Sequence, residues 1–188
     1  SYLIRGQLKS IISNVELRVY LCALGAIIAC GVLTIPTDGS FEELAREVSF
    51  QVVSMGTSTG YATADYDAWP PMMRLGIVLL MVVGGCMGST AGGMKVTRVI
   101  VFFKAIGREL HRMVYPHAVR PLRVGKRVLK PEVAANIMAF GSVYALGLIL
   151  GTMVMTGYGY DVETAMSAAV SAMSNMGPAL GSFGPTQN

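Results

Sequence analysis

Three long stretches of the chain are predominantly apolar and contain no charged residue. They cover residues 19–37, 75–94 and 133–160. Each has at least the roughly 18 residues expected of a membrane-spanning helix. The pattern therefore predicts spanning helices over 19–35 and 133–155, and a third crossing within 75–94. Residues 1–18 form a mixed polar and apolar lead-in.

A shorter amphipathic segment follows the first apolar stretch, and another follows the third. Ser40, with Glu43 three residues later, has a capping-box pattern that predicts a helix over 41–55. Asp161 is expected to cap a second short helix over 162–175. Both helices are too short to span, and glycines end them. Each short helix must enter the outer half of the bilayer, and the chain must return in an extended conformation. Irregular backbone within the membrane is tolerated where protein buries it or where it lines a water-filled cavity.

The two segments that follow the short helices are called here the first glycine strand (57–61) and the second glycine strand (174–178). An offset of 117 residues places Gly177 on Gly60, and lays residues 137–152 over 20–35. Few residues are identical, but spanning helix, turn, short helix and glycine recur in the same order. The chain therefore contains two copies of one unit, a recurring plan in membrane pores and transporters.

Composition and charge support a membrane protein with a defined orientation. Hydrophobic residues make up 53% of the chain and charged residues 14%, against about 25% charged in soluble domains. Ten of the fifteen Lys and Arg residues lie between Lys95 and Lys130, whereas acids dominate residues 38–67. Because basic loops stay in the cytoplasm, residues 1–18 and 95–131 are predicted inside, and 36–70 and 157–188 outside. The basic run indicates a solvated loop with affinity for anionic lipid headgroups, not a nucleic-acid site.

The glycine strands have the chemistry of a cation site. Backbone carbonyls can replace the water shell of a cation, and glycine adopts at least cost the left-handed conformations that aim successive carbonyls at one axis. Ser58-Thr59-Gly60-Tyr61 is similar to the Thr-Val-Gly-Tyr of a potassium-channel filter. The C-terminal ends of the short helices add a dipole that favours cations. The alternative is that Gly60 and Gly177 only allow tight turns.

A glycine-rich loop, here residues 84–95, follows the second apolar run and holds five glycines within ten residues. It lacks the serine or threonine after the lysine, and the preceding strand, of a phosphate-binding loop. It indicates unwound backbone near the middle of the bilayer, with Ser89, Thr90 and freed carbonyls on an ion path. Close helix packing through small residues is the alternative.

The remaining side chains suggest little further chemistry. Cys22, Cys30 and Cys86 lack metal-ligand spacing and are expected to be small core residues. Asp65 and Asp67 are expected to be solvated loop acids, or to attract cations. Trp69 is expected to anchor the chain at the membrane interface.

The chain resembles the Trk/Ktr/HKT superfamily of potassium transporters, most closely its bacterial TrkH branch. The resemblance covers essentially the whole chain and rests on three motifs in family order: STGYATAD (58–65), GGCMGSTAGGMK (84–95) and NMGPALGSFGP (175–185). It implies an all-α membrane protein with repeated membrane helix–pore helix–filter strand–membrane helix units around a pseudo-fourfold pore. The chain starts without methionine, and is expected to be part of a longer protein. Residues 1–115 would be the third repeat, with its second helix interrupted, 116–131 a basic cytoplasmic linker, and 132–188 the fourth repeat without its final helix.

The resemblance also implies site residues and partners. Potassium would be the transported ion, bound by backbone carbonyls, chiefly those of Thr59, Gly60, Met176 and Gly177. A homodimer with a cytosolic nucleotide-binding regulatory subunit, in the bacterial inner membrane, is implied. The implied filter positions are Thr57, Ser58, Thr59, Gly60, Tyr61, Ser174, Asn175, Met176, Gly177 and Pro178, and the implied gating-loop positions are Gly88, Ser89, Thr90, Ala91, Gly92 and Gly93.

The sequence thus predicts potassium uptake without covalent chemistry, so no enzyme activity and no bound cofactor beyond the transported ion. The alternative is a non-conducting membrane subunit whose glycines serve helix packing. A soluble helical protein is the third possibility.

Overall fold

The helices of the chain begin and end where local sequence signals place them. The computed structural model describes residues 14–36, 40–115, 121–125 and 127–185. Within these ranges the six α-helices are α1 (Val15–Thr34), α2 (Phe41–Gly56), α3 (Pro71–Val83), α4 (Val96–Val114), α5 (Pro131–Gly157) and α6 (Val162–Ser174). The predicted lead-in up to residue 13, the turn at 37–39, and positions 116–120 and 126 of the predicted linker lie outside the described residues.

Side-chain caps fix the starts of α1, α2 and α6. The Ser40 hydroxyl accepts from the Glu43 amide (3.2 Å), and Asp161 accepts from the Thr164 amide (3.1 Å), as predicted. Hydrogen bonding to Thr164 lowers the pKa of Asp161. Helix α1 begins earlier than predicted because Asn14 caps it by accepting from the Glu16 amide (3.0 Å).

Two helices are long and apolar enough to cross a membrane among the described residues, α1 and α5. The second apolar stretch, residues 75–94, does not form one continuous span. It is helical only within α3, and residues 84–95 separate α3 from α4. Positive φ angles at Gly84, Gly88 and Gly93 are incompatible with a continuing α-helix, and glycine allows them at little cost. The sequence pattern correctly indicated this break.

The main core surrounds the first short helix, α2. Val48, Val52 and Met55 of α2 are fully buried and pack with residues of α1 and α3, and with Met176 and Leu180 beyond α6. A smaller cluster joins α4 to the start of α5. The end of α2 is therefore held by both copies of the repeated unit.

A two-residue antiparallel hairpin, β1 (Arg123–Val124) with β2 (Arg127–Val128), lies within the predicted linker. Two sequence expectations need correction. Cys22 is exposed, whereas Cys30 and Cys86 pack against the main core as expected. Trp69 is buried edge-on against Tyr66, so it belongs to the core and not to an interfacial anchor.

Candidate ion-conduction site

The two glycine strands have the same backbone conformation at the predicted offset of 117 residues. Ser58 and Asn175 are left-handed, with φ of 56° and 52°. Gly60 and Gly177 also have positive φ, 77° and 103°. Since left-handed conformations cost non-glycine residues about 1–2 kcal/mol, their recurrence at matched positions marks a repeated local structure.

The same hydrogen bonds join each strand to the helix before it. The Thr59 amide donates to the Ser54 carbonyl (2.9 Å), and the Met176 amide donates to the Ser171 carbonyl (3.1 Å). One residue earlier, the amides of Ser58 and Asn175 donate to Met55 (3.2 Å) and Ala172 (3.4 Å). Each donor and each acceptor in the second strand is 117 residues beyond its counterpart.

A buried serine lies behind each strand. The Ser54 hydroxyl donates to the Tyr61 carbonyl (2.6 Å), whereas the Ser171 hydroxyl accepts from the Gly177 amide (3.1 Å). Gln51, also buried, donates to the Ala64 carbonyl (3.0 Å). The short helices thus fix both ends of the extended chain that follows them.

The two strands contact each other directly. The Met176 carbonyl oxygen lies where a β-carbon on Gly60 would be, so only glycine fits there. A cavity of about 340 Å³ opens beside this contact, lined by Gly60, Tyr61, Gly177 and Pro178 among others. Among the described residues, the carbonyls of Thr59, Gly60, Met176 and Gly177 accept no backbone hydrogen bond outside helices and strands.

The glycine-rich loop is closed at its base by backbone hydrogen bonds. The amides of Met94 and Lys95 donate to the carbonyls of Val82 (2.9 Å) and Val83 (2.8 Å). These carbonyls lie in the last turn of α3, where an intrahelical partner is missing. The hydrogen bonds that α3 loses by ending are therefore replaced within the loop, and Ser89 and Thr90 do not supply them.

Two charged side chains hold the loop. The Lys95 ammonium donates to the carbonyls of Ser89 (2.9 Å) and Ala91. The Met87 amide donates to Glu16 of α1 (2.5 Å). Charge-assisted hydrogen bonds of this kind are stronger than neutral ones. Lys95 ends the glycine-rich loop as expected, but the solvated environment expected of the basic run is wrong for this residue.

Ser174 connects the glycine-rich loop to the second glycine strand. Its hydroxyl donates to the Met81 carbonyl (2.7 Å) and lies 3.3 Å from the Tyr144 hydroxyl. Its carbonyl oxygen is packed against Gly92 of the loop. Ser174 is the last residue of α6 and fully buried, so its side chain joins α6 to α3 and α5, and its carbonyl is the part that contacts the loop.

Comparison with known proteins agrees with this arrangement. The family model described as TrkH, cation transport protein, matches residues 39–188. This chain belongs to the TrkH family of cation transport proteins. A TrkH potassium uptake protein from Escherichia coli K12 is 38% identical over 72% of this chain and 28% of its own length. One from Halomonas elongata is 34% identical over 88% of this chain and 35% of its own length.

The fold is also that of the family. The crystal structure of the potassium transporter TrkH from Vibrio parahaemolyticus superposes with a TM-score of 0.85 at 29% identity, over 96% of this chain and 40% of that one. The predicted all-α membrane class with repeated helical units is therefore confirmed. The chain spans about a third of the length of the curated relatives it matches.

In this TrkH-family chain the two predicted strands are in contact, but the environment of Asp67 differs from the one predicted. Gly60 contacts Met176 and Pro178, and Gly60 and Tyr61 share a cavity with Gly177 and Pro178. Asp67 is not a solvated acid, because it accepts from the Gly181 amide (3.2 Å) and lies 3.9 Å from Arg74. Sequence reasoning missed Lys95, Glu16 and Arg74, since their partners are distant or are backbone atoms that no sequence pattern identifies.

Proposed function

We propose that this chain supplies two of four filter strands in a potassium uptake protein of the bacterial inner membrane. The relatives are named potassium uptake proteins, and the chain matches about a third of their length. The rest of the protein would provide the other two strands around a pseudo-fourfold axis. The activity is transport, without covalent chemistry.

Potassium would be coordinated by the backbone carbonyls of Thr59, Gly60, Met176 and Gly177. The observation that carries this proposal is the shared conformation and hydrogen bonding of the two strands at an offset of 117 residues. Similar backbone geometry in the two repeats would present equivalent carbonyls, as a ring of ligands requires. The C-terminal ends of α2 and α6 lie directly before the strands and add negative potential.

The packing alternative explains some of these glycines but not all of them. Among the described residues, a β-carbon at Gly177 or Gly88 would meet no atom within 4 Å, and it is the positive φ of these two residues that favours glycine. Close packing does require glycine at Gly60 and Gly92, where a β-carbon would overlap the carbonyl oxygens of Met176 and Ser174, and at Gly31, where it would lie 2.7 Å from Val48.

The glycine-rich loop, with residues 88–93 at its tip, would act as a gate on the cytoplasmic side of the filter. Its base is closed by backbone hydrogen bonds, and Lys95 crosses it to two carbonyls. The contact between Gly92 and Ser174 gives a direct route from the loop to the second strand. Movement of the loop would open the path without unfolding α3.

The orientation and partners follow from the charge pattern and the family resemblance. Residues 95–131 would lie in the cytoplasm and the α2 and α6 N-termini outside. The exposed, strongly basic face of α4 would meet lipid headgroups or a cytosolic nucleotide-binding regulatory subunit, and the whole protein would be a homodimer.

Expression of the complete protein in a bacterial strain that lacks potassium uptake tests the function. Growth should be restored at low external potassium by the wild type and reduced by Gly60→Ala. A wild type that is inserted in the membrane but restores no growth would contradict the proposal.

A further inference from the structure

A group of polar residues on the outer face links the two repeated units. Arg74, in the first turn of α3, places its guanidinium 2.8 Å from Glu163 in the first turn of α6. The same nitrogen lies 3.9 Å from Asp67, in the segment after the first glycine strand. The Arg74 side chain is only 24% exposed, so solvent screens this pairing less than it screens a surface ion pair.

The segments that follow the two glycine strands are also joined directly. Asp67 accepts a hydrogen bond from the Gly181 amide (3.2 Å) through the oxygen nearest Arg74. The neighbouring Tyr66 is fully buried and donates from its hydroxyl to the Ala179 carbonyl (3.0 Å). Burial raises the pKa of Tyr66, and the hydroxyl therefore remains a donor at all physiological pH values.

These contacts end close to the strands themselves. Ala179 is two residues beyond Gly177, and Tyr66 is held on its other side by the packing of Trp69. The Gly181 amide lies in a tight turn with φ of 62°, where a β-carbon would overlap the Thr164 hydroxyl. The position of the second strand is thereby fixed relative to residues that directly follow the first.

We propose that Tyr66, Asp67, Arg74 and Glu163 form an outer clamp that sets the spacing of the two glycine strands and so helps to select among cations. The proposal rests on the function proposed above. Arg74 is a positioning residue, because it reaches the strands through Asp67 and touches no ion. Selection among cations depends on the number and the electrostatic field strength of the coordinating carbonyls. Both change when one strand shifts relative to its neighbour.

Arg74→Gln in the complete protein removes the charge and keeps most of the side-chain length. Arg46→Gln is the matched control, since among the described residues the exposed Arg46 pairs only with Glu43 of its own helix (3.8 Å). Both are reconstituted into lipid vesicles, and the potassium-to-sodium permeability ratio is measured. We expect the ratio to fall about twofold to fivefold in Arg74→Gln, the range for the loss of an ion pair with one half-exposed partner. The ratio should not change in Arg46→Gln.

Three further variants distinguish a role in positioning the strands from simple stabilisation of the fold. Asp67→Asn keeps an oxygen that can accept from the Gly181 amide, and Asp67→Leu does not, so selectivity should fall further in the leucine variant. If Arg74→Gln does not assemble, Tyr66→Phe removes only the hydroxyl bond to Ala179 and should still lower the ratio. A merely structural clamp would lower the yield or thermal stability of these variants and leave the ratio of the assembled protein unchanged.

Unchanged ratios in assembled Arg74→Gln, Asp67→Leu or Tyr66→Phe would overturn the clamp while leaving the proposed function intact. A wild-type protein without potassium-selective permeation would instead overturn the function itself.

Discussion

Alanine substitutions at Gly60 and Gly177 should have unequal effects, although the two glycines are equivalent in the repeat. Both have positive φ, which costs an alanine about 1–2 kcal/mol. Among the described residues, a methyl group on Gly177 would meet no atom within 4 Å, whereas one on Gly60 collides with the Met176 carbonyl. Forcing an extra methyl group into a packed site adds about 1–3 kcal/mol.

The cost at Gly60 is therefore about 2–5 kcal/mol, against about 1–2 kcal/mol at Gly177. Relief of the collision must move Met176, whose carbonyl is one of the proposed ligands. Gly60→Ala should thus lower the potassium-to-sodium permeability ratio at least as much as the roughly fivefold to thirtyfold that 1–2 kcal/mol represents. Gly177→Ala should have the smaller effect.

The assay compares reconstituted complete protein carrying each substitution, with Gly107→Ala as control. Gly107 lies within α4 with no atom near its missing β-carbon, so alanine there should stabilise the helix by about 0.5–1 kcal/mol and leave selectivity unchanged. An effect of Gly177→Ala larger than that of Gly60→Ala, or wild-type selectivity in both, would refute the reasoning.

Three other expectations concern the loop, the orientation and acid stability. Lys95→Met should raise potassium flux about fivefold, the change expected when ~1 kcal/mol is lost from the closed state of the loop. Lys104→Met is the control and should leave the flux unchanged, because the Lys104 ammonium donates to the Arg123 carbonyl outside the loop. Equal fluxes of the two variants in whole cells would contradict a role of Lys95 in holding the gate closed. In a protein without native cysteines, Tyr158→Cys should react with an impermeant thiol reagent added to intact cells and Arg123→Cys should not; the reverse pattern would invert the topology. The ionised Asp161 cap stabilises α6 at pH values above the ordinary carboxylate pKa, and this stabilisation is lost as the pH falls through the lowered pKa of Asp161. Acid should therefore destabilise the wild type more than Asp161→Asn in thermal unfolding. Parallel pH profiles of the two unfolding temperatures would contradict this.

Local signals made much of the fold predictable. Ser40 and Asp161 cap the short helices as expected, because capping depends on residues three positions apart. The offset of 117 residues was also visible in the sequence. Left-handed backbone positions favour glycine, so glycines recur at the spacing of the repeat. The structure then shows the same offset in hydrogen bonds between backbone atoms alone.

Contacts between distant segments were not predictable. Charge counting identifies the sign of Lys95 but not the carbonyls of Ser89 and Ala91 that it binds. Arg74 and Glu163 are 89 positions apart, and only the packing of α3 on α6 brings them together. A single tryptophan beside two prolines gave no means of distinguishing an interfacial anchor from the buried Trp69 that the structure contains.

The central claim is that the two glycine strands form part of a potassium-selective filter. The most direct measurement is the reversal potential of the complete protein, reconstituted in a lipid bilayer between potassium and sodium solutions. The account predicts a reversal potential close to that of potassium, displaced toward zero by Gly60→Ala. A purified, correctly folded wild-type protein with no current, or with a reversal potential that does not distinguish the two ions, would contradict it.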